Sequence, residues 1–183
     1  MNGIKFVLEW IQTKYINMKK LILSMTALFL TLSVSSQTIV DAAASNKDFS
    51  TLVTALKAAD LVGALSGEGP FTVFAPNNDA FGKIDSETLG SLLKPENVKA
   101  LSNILTYHVV SGKLMASDVT KALKKGYGRT KLTALNGQTF VARSKDGKIF
   151  LKDQNGNMSQ IIATDVVGSN GVIHVIDSVI MPE

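Results

Sequence analysis

The sequence predicts an α+β domain in which helices come first and a mostly antiparallel sheet follows. Apolar residues in the first half recur at spacings of three and four, as on one face of a helix. In the second half the period changes to two, and Asn-Gly or Asp-Gly pairs separate the short apolar runs, which is typical of β-hairpins. Strands that cluster after the helices favour α+β over a doubly wound fold, in which the two would alternate.

Four segments have the pattern of helices. The first has an apolar face between Phe49 and Leu65, and a Gly-Glu-Gly-Pro run ends it. A short helix is predicted through Phe81, a third has apolar residues on one face from Val98 to Leu105, and the last continues through Leu123. Small polar residues and proline are favoured where helices begin. The predicted starts are Ser45 or Asn46, Asn77 to Asp79, Pro95, and Ser117 or Asp118.

Seven short runs have the composition of strands. Two lie among the helices, at 71–75, which Pro76 ends, and at 107–110, which Ser111 and Gly112 end. The other five belong to the second half, and glycine-containing pairs that permit tight turns separate them. Their ranges are 131–135, 139–143, 148–152, 160–167 and 172–179.

Residues 1–36 are predicted to be a leader. Lys19 and Lys20 precede an uncharged run at 21–34 that small residues follow, which is the order of a secretory signal. A membrane anchor is the competing interpretation, but this run would span only about 21 Å of the roughly 30 Å hydrocarbon core. We assign the signal to 18–36, and 1–17 to a wrongly annotated start or an extended basic region. One domain, 37–183, would then be extracellular or periplasmic, without a transmembrane anchor after cleavage.

Most of the positive charge belongs to the leader. The chain carries +4 and residues 37–183 carry +1, so the charge gives no argument for nucleic-acid binding. Residues 113–153 nevertheless contain ten Lys and Arg against three Asp, a net charge of +7. Such a segment is either a solvated basic surface or a contact for a polyanion such as acidic polysaccharide, with Tyr127 stacking on a sugar ring. The residues predicted for this contact are Lys121, Lys124, Lys125, Tyr127, Arg129 and Lys131.

Catalytic and metal-binding patterns are missing from the sequence. Without cysteine there is no thiol nucleophile, disulfide or thiolate metal site. No Gly-x-Ser-x-Gly, His-Glu-x-x-His or phosphate-loop pattern occurs. The two histidines, His108 and His174, lie in apolar runs without a carboxylate cluster, so we interpret them as buried hydrogen-bonding side chains and not as a general base or metal ligands. A hydrolytic enzyme is therefore disfavoured, and no cofactor or metal is predicted.

Three segments resemble the signatures of one family. They are GPFTVFAPNNDAF at 69–81, ILTYHVV at 104–110 and GVIHVIDSVIMP at 171–182, and TIVDAA at 38–43 also fits. In this order and spacing they resemble the fasciclin (FAS1) family over residues 37–182. The resemblance implies a compact wedge of β-strands with helices packed around it. It also implies a non-enzymatic extracellular adhesion or matrix-associated module, here a secreted bacterial member with one domain.

The resemblance also suggests binding residues and an alternative function. Animal members use the Tyr-His segment towards integrins, so Tyr107 and His108 are candidate binding residues on this ground alone. Some members bind apolar molecules such as carotenoids, which makes a carrier of a small carotenoid- or lipid-like ligand the alternative. The predicted partner is a cell-surface or matrix component, either a protein or an acidic polysaccharide.

Overall fold

A computed structural model describes residues 37–183. The predicted leader, 1–36, lies outside the described residues, so the secretory signal stays a prediction. Within 37–183, no helix has the length and apolar character that a membrane span needs.

The described residues form seven α-helices and seven β-strands, which confirms the predicted α+β class. The helices are α1 (Ile39–Ala44), α2 (Ser50–Ala58), α3 (Val62–Ser66), α4 (Asn78–Phe81), α5 (Ser86–Leu92), α6 (Val98–Tyr107) and α7 (Ala116–Lys125). The strands are β1 (Phe71–Pro76), β2 (Val109–Ser111), β3 (Arg129–Thr133), β4 (Thr139–Lys145), β5 (Lys148–Lys152), β6 (Met158–Gly168) and β7 (Gly171–Ile176).

The seven strands form one mixed sheet that almost closes into a barrel. Their order is β2-β1-β7-β6-β5-β4-β3, and β1 and β7 are the single parallel pair among these neighbours. The two edge strands approach each other where Val110 pairs with Ala134 and where the Leu135 N–H donates to the Val109 carbonyl at 2.8 Å. The predicted, mostly antiparallel sheet is therefore confirmed.

Two apolar clusters fill the domain. The first packs the early helices against one face of β1 and β7, where Ala75 and Ile173 are buried among helical side chains. The second fills the barrel, where the ring of Phe140 contacts Phe74 and Tyr107 edge-on at centroid distances of 5.5 Å. The two faces of β1 and β7 thus belong to different cores, one under the early helices and one inside the barrel.

Short polar side chains begin several helices, as predicted. Asn46 accepts a hydrogen bond from the Asp48 N–H at the start of a 3-10 turn, and Asn77 accepts one from the Ala80 N–H at 2.9 Å. Asp118 is different, because it is the third residue of α7 and accepts from the Met115 N–H, one residue before the helix. The prediction of Ser117 or Asp118 as the N-cap was therefore wrong by about two residues.

Two predicted elements differ from the structure. The long first helix is divided into the 3-10 turn Lys47–Phe49, α2 and α3, with Asp60 at a left-handed φ of 55° between the two helices. Tyr107 and His108 were assigned to a strand, but Tyr107 ends α6 and His108 is its C-cap. Two kinds of contact stabilise the helix end where propensity favours a strand. The imidazole of His108 bonds the Ile104 carbonyl in the last turn, and the distant Ile180 N–H and Thr139 carbonyl bond the side chains of His108 and Tyr107.

Candidate functional site

Tyr107 is buried in the barrel core. Its ring packs against Phe140, and its hydroxyl donates to the Thr139 carbonyl at 3.0 Å. Burial, together with the negative charge of Asp153, raises the pKa of the phenol. The side chain is therefore a neutral, hydrogen-bonded core residue and does not present its hydroxyl to a partner.

His108 is buried beside it and uses both ring nitrogens. The Ile104 carbonyl, 2.8 Å from Nδ1, can only accept, so Nδ1 carries the proton. Nε2 then accepts from the Ile180 N–H at 3.1 Å. Burial lowers the pKa of His108 to about 4, although its bond to Ile104 opposes the shift. The imidazole is neutral at pH 7, because its protonation would place two N–H groups against each other.

His174 has the same role on the neighbouring strand β7. Its Nε2 donates to the Leu114 carbonyl at 2.7 Å, and its Nδ1 accepts from the Asp165 N–H at 3.3 Å. The interpretation of both histidines as buried hydrogen-bonding residues is confirmed. Within 37–183, no group of three or more His, Cys, Asp or Glu side chains is placed to hold a metal ion.

The outer face of strands β3, β4 and β5 carries a cluster of cations, with Val141 and Phe150 between them. Strand pairing sets Arg129 opposite Arg143 and Lys145 opposite Lys148. Residues on the other face of β4 and β5, such as Phe140 and Ala142, are buried in the barrel. We call the outward-facing cations the cationic sheet face: Arg129, Lys131, Arg143, Lys145, Lys148 and Lys152.

No carboxylate of the described residues forms an ion pair with this face. The ion pairs found among the described residues join Lys83 to Asp177 and Lys121 to Asp118, and neither involves the cationic sheet face. Strands β3 to β5 contain no Asp or Glu. Asp153, which follows β5, is buried and accepts hydrogen bonds from backbone N–H groups. Asp146, in the turn between Lys145 and Lys148, is the nearest acid in the sequence, and it forms neither of these two ion pairs. Like charges directly opposite each other on a sheet repel, so the arrangement has a cost.

The lysines of α7 lie on a different surface. Val119 and Leu123 of this helix pack into the barrel cluster with Phe140, on the inner side of the sheet. Lys124 lines a second groove with Gly147 and Ile149, and no lysine of α7 lines the groove that contains Tyr127 and Arg143. The structure divides the six predicted residues accordingly: Tyr127, Arg129 and Lys131 belong with the sheet, and Lys121, Lys124 and Lys125 with the helix.

A groove of about 470 Å³ opens where the α7–β3 loop meets the sheet. Tyr127 lies in this loop with 98% of its surface exposed, and Met158 of β6 is 43% exposed. Sequence reasoning missed Met158 and the basic residues of β4 as site members. The turn at Asp146-Gly147 could have predicted the position of these β4 residues, because a two-residue hairpin turn determines which residues of the two strands lie opposite each other. The groove is lined by Tyr127, Gly128, Arg129, Arg143, Ser144, Lys145 and Met158.

An apolar cavity lies between the early helices and β1 and β7, but it is small. Its volume is about 20 Å³, whereas small-molecule sites typically measure about 300–1,000 Å³. It is lined by Ile39, Val40, Ala43, Leu52, Leu56, Leu65, Val73, Ala75 and Ile173. A carotenoid- or lipid-like ligand does not fit there unless the helices separate from the sheet.

Comparisons with known proteins agree on one family. The sequence model described as "Fasciclin domain" matches residues 47–182. Protein sll1483 of Synechocystis sp. is 51% identical over 148 residues, which are 81% of this chain and 75% of that protein. Human periostin is 35% identical over 142 residues, which are 75% of this chain but 15% of periostin. This chain thus corresponds to a small part of the animal protein.

A solved structure has a similar fold. It is a FAS1 domain pair from the insect cell adhesion molecule Fasciclin I, and it matches with a TM-score of 0.70 at 18% sequence identity. The match covers 79% of this chain and 51% of that chain, about one domain of the pair. At this identity the likeness concerns the fold alone.

Proposed function

Because this chain belongs to the Fasciclin domain family, we propose that it is a non-enzymatic adhesion module that acts outside the cell. In this proposal it attaches to acidic polysaccharide of a matrix or cell surface through the cationic sheet face. Export rests on the predicted secretory signal at 18–36. The general function rests on membership of this family.

The observation that carries the proposal is the cationic sheet face itself. Six Lys and Arg side chains share one surface, and no carboxylate of the described residues pairs with them. An exposed ionic contact contributes only about 0.2–1 kcal/mol. Six together supply at most about 6 kcal/mol, a dissociation constant of roughly 0.04 mM. Useful attachment therefore requires a polymer that engages the whole face or several copies of the protein.

Retention on an immobilised acidic polysaccharide, measured across a salt series, tests this proposal. One variant combines Arg129→Gln, Lys131→Gln and Arg143→Gln. The matched control combines Lys121→Gln, Lys124→Gln and Lys125→Gln, which removes the same charge from the surface of α7. We expect wild type and control to be retained at low salt and released as salt screens the contacts, and the sheet variant to pass through.

Two results would contradict the proposal. Failure of the wild-type protein to bind at low salt would exclude polyanion attachment altogether. Equal weakening by both variants would show that net charge, and not the cationic sheet face, determines retention. Melting temperatures of both variants exclude loss of folding as the cause.

A further inference from the structure

We propose that the groove beside Tyr127 is a subsite for a single uronate residue of an acidic polysaccharide. This inference rests on the proposed function and goes further, because it names the sugar and separates binding at one groove from general charge attraction. Three features of the groove support it: the presentation of Tyr127, the pairing of two arginines, and the apolar surface of Met158.

The position of Tyr127 has no explanation in the packing of the domain. The residue is 98% exposed, whereas Phe74, Tyr107 and Phe140 of the barrel are buried. Its backbone adopts a left-handed φ of 53°, which few residues other than glycine, asparagine and aspartate take up readily. A large aromatic residue at this position contributes nothing to the core and is unfavourable for the backbone.

The loop that carries Tyr127 is held on both sides. The Gly128 N–H donates to the Leu123 carbonyl of α7 at 2.8 Å, and the Gly128 carbonyl accepts from the Ser144 N–H of β4 at 2.8 Å. The exposed ring is therefore attached to a backbone fixed to both the helix and the sheet. A fixed aromatic surface loses little conformational entropy when a ligand stacks on it.

Two arginines supply the anion-binding part of the groove. Arg129 and Arg143 are direct partners in the β3–β4 ladder, so their side chains leave the same face from neighbouring points. Planar guanidinium groups bind carboxylates through two parallel hydrogen bonds, which a lysine ammonium cannot reproduce. Lys145 lines the same groove, and no carboxylate is among the lining residues. The site therefore has an excess of donors and positive charge that a carboxylate would satisfy.

A uronate residue combines the chemical groups that this groove matches. Its ring has an apolar face for the phenol of Tyr127 and the thioether of Met158, and its carboxylate fits the arginine pair. Further residues of the chain would meet Lys148 and Lys152, which continue the cationic sheet face beyond the groove. A single-stranded nucleic acid also combines rings with anions, but proteins that bind it usually stack successive bases on several aromatic side chains. Among the described residues that line this groove, Tyr127 is the single aromatic side chain.

The test is calorimetric titration of the full-length protein with a short oligogalacturonate. Tyr127→Asn removes the ring but keeps a residue that tolerates the left-handed backbone, and Tyr127→Phe keeps the ring. We expect Tyr127→Asn to weaken binding about two- to tenfold, because one aromatic contact is lost. The affinity of Tyr127→Phe should stay within about twofold of that of wild type. Arg143→Gln should weaken binding more than Lys125→Gln, the variant of equal charge on α7.

Comparison probes separate this inference from the proposed function. Dextran sulfate of similar length and oligothymidylate test a sulfated chain and a nucleic acid, and a carboxyl-reduced oligosaccharide tests the carboxylate. The uronate subsite is wrong if Tyr127→Asn binds oligogalacturonate as well as wild type does. It is also wrong if binding of either comparison polyanion depends on Tyr127 as strongly. In both cases the proposed attachment through the cationic sheet face is unaffected. If the wild-type protein binds none of the polyanions, the proposed function itself fails.

Discussion

At the scale of single residues, buried polar side chains of this domain serve the fold. His108 connects the end of α6 to the segment after β7, because Nδ1 donates to the Ile104 carbonyl and Nε2 accepts from the Ile180 N–H. Among the described residues, every buried side-chain nitrogen and oxygen has a hydrogen-bond partner. Tyr107 and His108 are thus part of the barrel core, although the family resemblance placed them among the candidate binding residues.

The pKa of His108 makes stability depend on pH. The native pKa is about 4 and the unfolded one is 6.5, so between these values the unfolded chain binds the proton more strongly. The stability that neutral His108 contributes is complete above pH 6.5 and is lost as the pH falls through 4. We expect the free energy of unfolding to decrease by about 3 kcal/mol over this interval.

Urea denaturation at several pH values measures this dependence. Carboxylates titrate near the lower end of the interval, so His108→Gln, which has no titratable group, serves as the reference. The free energy of unfolding of wild type should fall more steeply with decreasing pH than that of His108→Gln, and the difference measures the effect of His108. Parallel profiles for wild type and His108→Gln would refute the pH prediction.

At the scale of elements, the parallel contact between β1 and β7 requires a glycine. Gly171 begins β7 opposite Phe71, and a Cβ at this position would clash with the Phe71 carbonyl oxygen. Its φ is not in the left-handed region, so close approach of the backbones is the reason for the glycine and not turn geometry. In the hairpin turns, backbone conformation is the reason for glycine. Gly137 and Gly147 have φ values of 84° and 74°, and the space where a Cβ would lie is open.

We expect Gly171→Ala to destabilise the domain by about 1–3 kcal/mol, because the added methyl group must push two paired strands apart. Gly90→Ala is the matched control. Gly90 lies within α5 with nothing near its missing Cβ, so alanine should leave stability unchanged or raise it by up to about 1 kcal/mol. Thermal unfolding of both variants measures the difference, and similar melting temperatures would show that the strands can adjust.

At the scale of the whole molecule, charge is separated although the total is small. Residues 113–153 carry +7, whereas 37–112 and 154–183 carry −3 each. The positive segment folds into β3 to β5 and α7, so its charge is distributed over two surfaces. On the cationic sheet face the cations repel one another across the strands.

This repulsion predicts a gain in stability when the face is neutralised. The Arg129→Gln, Lys131→Gln, Arg143→Gln variant should be more stable than wild type by about 0.2–1 kcal/mol at low salt, while it loses attachment to polysaccharide. The gain should diminish at high salt, where the charges are screened. Denaturant unfolding at two salt concentrations measures this, and a variant less stable than wild type at low salt would indicate that the arginines have a structural role.

Much of the fold could be predicted from local patterns. The caps at Asn46 and Asn77, and the turns at Gly137 and Gly147, follow from the chemistry of nearby residues, and the structure has them. The prediction was wrong at Tyr107, where contacts with residues far along the chain outweighed strand propensity. Of the candidate site, the basic segment was visible in the sequence, but its division into two surfaces was not.

By itself, the sequence determined the α+β class, the succession of the seven strands and the family, because periodicity, turns and signature segments all depend on neighbouring residues. Only the tertiary structure decided that β1 and β7 pair in parallel, that the hydroxyl of Tyr107 is bonded inside the barrel, and that Arg143 and Lys145 join Tyr127 at one groove. The physical reason is that burial and strand register arise from contacts between residues distant in the chain. A local pattern specifies what an element is, and packing specifies what it touches.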